Sequence, residues 1–407
     1  MKIKFLLFVL GGTLLLTSCD SILTESPPDD QIFDAPLDDL STIQLSAHLA
    51  GDEAFGEIFT PATGLGPVFN QAACVTCHID EGRGHPSTNL VRFGRETANG
   101  EFDYMVDRGG PQLQDRAIPG YPAEQLPQEA TGFSERGGPI VVGLGLIEAI
   151  PDETILANED PSDADGDGIS GRANFVEAPE WLELQGNKVI RNGKYLGRFG
   201  RKATTINLLQ QTANAYHDDM GITTDFIPEE IFNPLVGNRV GDNATDPELS
   251  AEVVNNVVIY LQTLRPPLRR DIDSPEVQNG ERIFSEIYCA SCHIPTMETG
   301  PSPIAALAFK NVELYSDMLL HDMGTELADN FPEGDATGTE WRTTPLWGLG
   351  IVENLLGGEP FYLHDGRTSD LTEAIRLHGG EATRSRDMFL NLNEDDKSAL
   401  LAFLKSL

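Results

Sequence analysis

The chain has 407 residues, 40% of them apolar, and its 64 acidic against 28 basic residues give a formal net charge of −36. That length exceeds one ordinary core and predicts two or three domains, while the apolar share excludes a disordered chain. Such an acidic surface repels nucleic acid and anionic lipid, so neither is expected as a partner; it suits solubility in a salty medium, or docking of a cationic electron donor.

The first element is the stretch MKIKFLLFVLGGTLLLTSC. Lys2 and Lys4 give a short positive region, Phe5 to Leu16 an apolar run too short to span a bilayer, and Leu16 to Cys19 a small-residue cleavage site ending in cysteine. The arrangement resembles the lipobox of bacterial lipoproteins. It implies a signal peptide over 1–18 and lipidation of Cys19. The mature chain would then be a lipid-anchored, periplasm-facing protein of a Gram-negative bacterium. An ordinary secretory signal with an incidental cysteine is the alternative. Residues 19–45, acidic and carrying Pro27, Pro28 and Pro36, read as a tether.

A weak internal repeat organises the rest. VFNQAACVTCH, ending at His78, matches IFSEIYCASCH, ending at His293. SAEVVNNVVIYLQTL and NEDDKSALLAFLKSL have helical spacing and close the two units with the similar endings YLQTL and FLKSL. The predicted units are 46–264 and 274–407, joined by a linker over 265–273 containing RPPLRR; Ser274-Pro275 opens the next helix. The first unit carries an insertion, and strand-like alternation is scarce. The expected fold is mostly α, two cytochrome c-like haem domains with long loops packed face to face.

Four of the five cysteines lie in two CxxCH motifs: Cys74, Cys77 and His78, then Cys289, Cys292 and His293. On a helical turn, positions i, i+3 and i+4 share one face. Two thiols can bond the vinyl groups of one porphyrin edge while the imidazole reaches the iron, so the spacing is that of c-type haem attachment. A zinc site, a redox CxxC pair or a disulfide would use the cysteines, but none accounts for a histidine in the same place twice. The expected cofactors are therefore two covalently attached haem c groups, with His78 and His293 as proximal ligands.

In the second unit Asp370 and Glu373 have the spacing of a capping box and Gly379-Gly380 is a stop signal, placing His378 at a helix end. In the first unit, Asp163, Asp165 and Asp167 followed by Gly168 have the alternation of a calcium turn, although Asn174 stands where an EF-hand has glutamate; a hydrogen-bonded acidic turn is the other reading.

The segments GLGPVFNQAACVTCH, DADGDGISGRAN, GRFGRKA, HDDMGIT, LYSDMLLHDMG, WRTTPLWGLG and YLHDGRTSDLTEAIRLHGGEA run in order along nearly all of the mature chain. They resemble the di-haem oxidoreductase family, sometimes labelled thiol oxidoreductase, within the bacterial diheme cytochrome c peroxidase superfamily. The resemblance implies that the second haem is held by His293 and His378, with Met323 and Met388 as fallback ligands. It also implies that Arg342 lies near that haem's propionates. LLQQTANAYHDDMGIT resembles the segment placing a glutamine and a glutamate above an open first haem; Gln210 or Gln211 (Gln211 by preference) and Asp219 take those places, and Asp219 would move a proton between the oxygens of hydrogen peroxide. His85 or His217 could close the first iron instead. Arg201 stands where that superfamily often has a tryptophan between the haems. The expected function is a diheme peroxidase fed by a small redox protein or a quinol-linked donor. A non-catalytic electron-transfer cytochrome is the competing class, and a thiol oxidase a third, which rests on the family label alone.

Overall fold

The structure is a computed structural model and describes residues 33–235, 244–355 and 358–407. The expected signal segment, Cys19 and the expected tether up to residue 32 lie outside the described residues. No described helix is long and apolar enough to cross a membrane.

Two crossed helix pairs frame the molecule. Helix Thr42–Phe55 packs on Ala251–Thr263, and Pro275–Glu286 packs on Glu394–Ser406. The first begins where Ser41 and Gln44 exchange side-chain-to-backbone hydrogen bonds, so residues 42–45, expected in the tether, are helical. The last begins at Asn393, whose side chain accepts the Asp396 N–H at 2.9 Å. Each crossing has a glycine at its centre. A Cβ on Gly51 would fall on the Asn256 carbonyl and Tyr260, and one on Gly280 would fall on the Ala399 carbonyl and Phe403. Tyr260 and Phe403 are the first residues of the two similar endings YLQTL and FLKSL, so the repeat seen in sequence is a repeat of helix packing.

The fold is less helical than expected, with 32% helix and 13% strand. Much of the strand falls in the first unit. Leu90–Glu96 pairs antiparallel with Gly132–Arg136, Phe93 opposite Phe133, and with Phe102–Asp103. Burial alternates along Gly132–Arg136, but the buried side carries Ser134 and Arg136. Alternation of polar residues is invisible to a hydrophobic pattern, and these strands were missed for that reason.

Those inward polar groups meet the second unit. Ser134 Oγ donates to Asp329 at 2.7 Å, Lys202 Nζ donates to Asp329 at 2.8 Å, and Arg92 and Arg136 both pair with Glu333. One hydrophobic cluster runs through both units, from Phe33 to Leu407. The two units thus share a core and a buried polar knot.

Candidate functional site: a shared cavity between two CxxCH motifs

A cavity of about 500 Å³ is lined by all four motif cysteines, by His78, His293 and His378, and by Gln211, Asp219 and Arg342. Cys74–Cys77 is a short helix with His78 at its end, and Cys289–Ser291 is a single 3-10 turn ahead of Cys292 and His293. Burial pushes the Cys74, Cys77 and Cys289 thiols up to about 12 and raises Cys292 as well.

Three histidines share one device. His78 Nδ1 lies 2.8 Å from the Pro139 carbonyl, His293 Nδ1 2.9 Å from that of Tyr315, and His378 Nδ1 2.8 Å from that of Ala374. A carbonyl at Nδ1 fixes the tautomer and leaves Nε2 as the ligand nitrogen. Burial lowers the pKa of each ring, to about 4 for His78 and His293, which keeps them neutral as ligation requires. His378 is also near enough to His293 to add to that lowering.

Helix Leu371–Arg376 sets His378. Asp370 caps it by accepting the Thr372 N–H at 2.8 Å, whereas Glu373 pairs with Arg376, so the expected reciprocal box does not form. Of the fallback ligands, Met323 lines the cavity and Met388 does not. His85 and His217 do not line it either. His85 Nδ1 is held by Ser87, which leaves its Nε2 unclaimed, whereas both nitrogens of His217 are taken, by Asp218 and the Glu229 carbonyl.

Asp219 and Gln211 come from helix Leu208–Asn214 and the π-helical turn Ala215–Asp219 that follows it. Such turns recur at functional sites because they re-aim side chains. Gln211 Oε1 accepts from Thr205 Oγ1 at 2.8 Å, while Gln210 caps Ile206 N–H and points elsewhere. Burial raises the Asp219 carboxyl to about 7, Asp218 adds to the rise, and a 2.7 Å hydrogen bond from Gln112 Nε2 opposes it. Gln112 was not foreseen: no motif marks it.

The second unforeseen feature is a group of arginines. Arg83, Arg136, Arg201 and Arg342 line the cavity together. Arg83 Nε and Nη2 and Arg201 Nε are buried without partners. Burial, then the Arg83, Arg342 and Arg136 guanidiniums, push Arg201 well below its ordinary value; burial lowers Arg342 to about 10. Buried like charges with idle donors call for anions. Two pairs of haem propionates would supply them, so the donor set fits two haems. Arg342, expected at one propionate, belongs to this group; its Nε also donates to the Gly200 carbonyl at 3.0 Å.

The acidic turn differs from expectation. Asp160, Asp163 and Asp165 approach one another, while Asp167 accepts the Ile169 N–H at 2.9 Å. Asp160 was missed because it lies outside the 1, 3, 5 spacing.

The model of the family described as "Di-haem oxidoreductase, putative peroxidase" matches residues 25–102 and 123–407. The chain belongs to the di-haem oxidoreductase family. No curated protein matches it. Among solved structures, this di-haem oxidoreductase is similar to the hydrazine synthase of Kuenenia stuttgartiensis, at 13% identity over 98% of this chain and 100% of that one, with a TM-score of 0.39. It is also similar to a MauG-like protein associated with microbial copper homeostasis, at 14% identity over 93% and 92% of the two chains, with a TM-score of 0.39.

Proposed function

We propose that this di-haem oxidoreductase reduces hydrogen peroxide at its first CxxCH site and receives electrons through its second. The observation that carries the reading is the asymmetry of the shared cavity. His378, its Nδ1 tied to Ala374, stands ready as a second ligand beside His293, whereas neither candidate histidine of the first unit lines the cavity and Asp219 and Gln211 do. In this reading Cys74, Cys77, Cys289 and Cys292 carry the haems as thioethers, and the haems supply the one-electron chemistry. The net change is hydrogen peroxide plus two electrons and two protons to two waters. Asp219, held at about 7, accepts a proton from the near oxygen and returns it to the far one, so that the O–O bond breaks with water as leaving group. Gln211 orients the peroxide as a hydrogen-bond donor.

The same reading makes the protein an exported lipoprotein anchored through Cys19, with a small redox protein or quinol-linked donor as its partner. Calcium on Asp160, Asp163 and Asp165 is a separable part of it and has less support. Asp160 and Asp163 already accept N–H groups of their own loop, as Asp165 does from Asp167.

The test is the EPR spectrum of the purified holoprotein, oxidised and after one-electron reduction. A high-spin ferric signal in either state is expected. Two low-spin signals that persist through both would refute the peroxidase reading and leave an electron carrier.

A further inference from the structure

A second cavity of about 200 Å³ lies against the first, and Arg92, Gln112 and Asp218 line both. Gln112 is the crossbar between them: its Nε2 lies 3.0 Å from Asn70 Oδ1, 3.1 Å from the Asp218 carbonyl and 2.7 Å from Asp219 Oδ1. Gln114 lines the smaller cavity and donates from Nε2 to the same Asp218 carbonyl at 3.0 Å. Its other amide atom, Oε1, is buried without a partner, and the residue is only 2% exposed. On the rim, Val106 is 68% exposed, so the smaller cavity reaches the surface.

A buried amide oxygen left without a donor is costly, so this one is built to receive a hydrogen bond from something small. About 10–15 Å³ suffices for one water, so the cavity has room for several molecules of that size. The large cavity is the space two haems would fill, which leaves the smaller one as a separate approach that ends at Gln112, the neighbour of Asp219. Val106, Gln112 and Gln114 all fall within residues 103–122, between the two stretches matched by the family model. Arg92, His217, Asp218, Glu230, Ile231 and Phe232, which also line the cavity, come from inside those stretches.

We propose that the smaller cavity is the entry chamber for a small hydrogen-bond-donating oxidant, of the size and polarity of hydrogen peroxide. Gln114 Oε1 receives it, and Gln112 is a positioning residue that separates the chamber from Asp219 while holding that carboxylate. The inference rests on the peroxide reading above.

The experiment uses the holoprotein and hydrogen cyanide, neutral at pH 7, as the probe of entry to the first site, followed by stopped-flow absorbance. Val106→Trp narrows the rim and Val106→Phe narrows it less; unchanged haem spectra show that each is folded. A plug in a path raises a barrier and leaves the end states alone. Association and dissociation should therefore slow together, by about tenfold for Val106→Trp and less for Val106→Phe, with affinity unchanged. Association unchanged in both variants, or an affinity change at unchanged association rate, would overturn the chamber and leave the peroxide reading standing. Wild-type protein that binds no cyanide in either oxidation state would overturn both.

Discussion

Asp219→Asn is the most informative single substitution. Asp219 is held at about 7, chiefly by burial, with Asp218 adding to the rise and Gln112 and Arg92 opposing it. Only the ionised carboxylate can take the first proton from peroxide, so kcat/KM for peroxide should be flat above neutrality and fall as pH drops. About half of the sites are competent at pH 7, about a tenth at pH 6 and about a hundredth at pH 5, a limiting slope of one decade per unit. Asparagine keeps the size and removes the base, so kcat/KM at pH 8 should fall about 10²–10⁴-fold and the acid limb should vanish. Asp219→Glu should keep the limb at reduced rate. Gln112→Met removes a hydrogen bond that favours the ionised form, so its acid limb should move to higher pH. The assay is initial-rate peroxide reduction across pH 5–9 with a chemical donor, on protein of matched haem content. An acid limb that persists unchanged in Asp219→Asn would show that another group carries the proton.

His378→Met should leave the second haem six-coordinate and raise its potential, by a shift on the order of 100 mV within the range of about 0.8 V that axial ligands span; spectroelectrochemistry reads it. Glu381→Gln tests the buried pair around His321, whose ring lies 2.7 Å from both Asp317 and Glu381. Burial opposes charge on His321, yet hydrogen bonds to Asp317, Cys292 and Glu381 push it up to about 12; burial likewise opposes charge on Glu381, but His321 and Ser170 hold it down to about 2. The histidine's share of stability is full below its unfolded value of 6.5 and fades as pH rises toward 12, and the glutamate's is full above 4.5 and fades as pH falls toward 2. Urea unfolding of Glu381→Gln should therefore show its largest loss, about 3 kcal/mol, between those two values, because Asp317 still balances the imidazolium. Gly280→Ala should cost about 1–3 kcal/mol by forcing the second helix pair apart, read as a lower urea midpoint at unchanged slope.

What the sequence disclosed follows from how local each signal is. The CxxCH motifs, the two closing helices and the helix end at His378 depend on spacings of three or four residues, and each stands where those spacings place it. Asp219 and Gln211 were found through an ordered resemblance, and the structure brings both to the cavity. Gln112, Gln114, Arg83 and the arginine group arise from contacts between segments distant along the chain, which no spacing records. Met388, His85 and His217 were named by residue type alone, and none of them lines the cavity; both nitrogens of His217 are engaged, by Asp218 and the Glu229 carbonyl. The strands around Ser134 were hidden because their inner face is charged and polar.

That inner face bears on how such a protein can be taken apart. Arg92, Arg136 and Lys202 come from the first unit, and the carboxylates they neutralise, Asp329 and Glu333, come from the second. Cut at the linker, the carboxyl-terminal piece would retain its own motif, its own crossed helices and His378, yet hold two anions with no counter-charge and half of an apolar core open to water. The two motif-bearing halves are thus halves in sequence only. The internal repeat therefore marks two stretches of one body, and a cut between them would expose what each hides in the other.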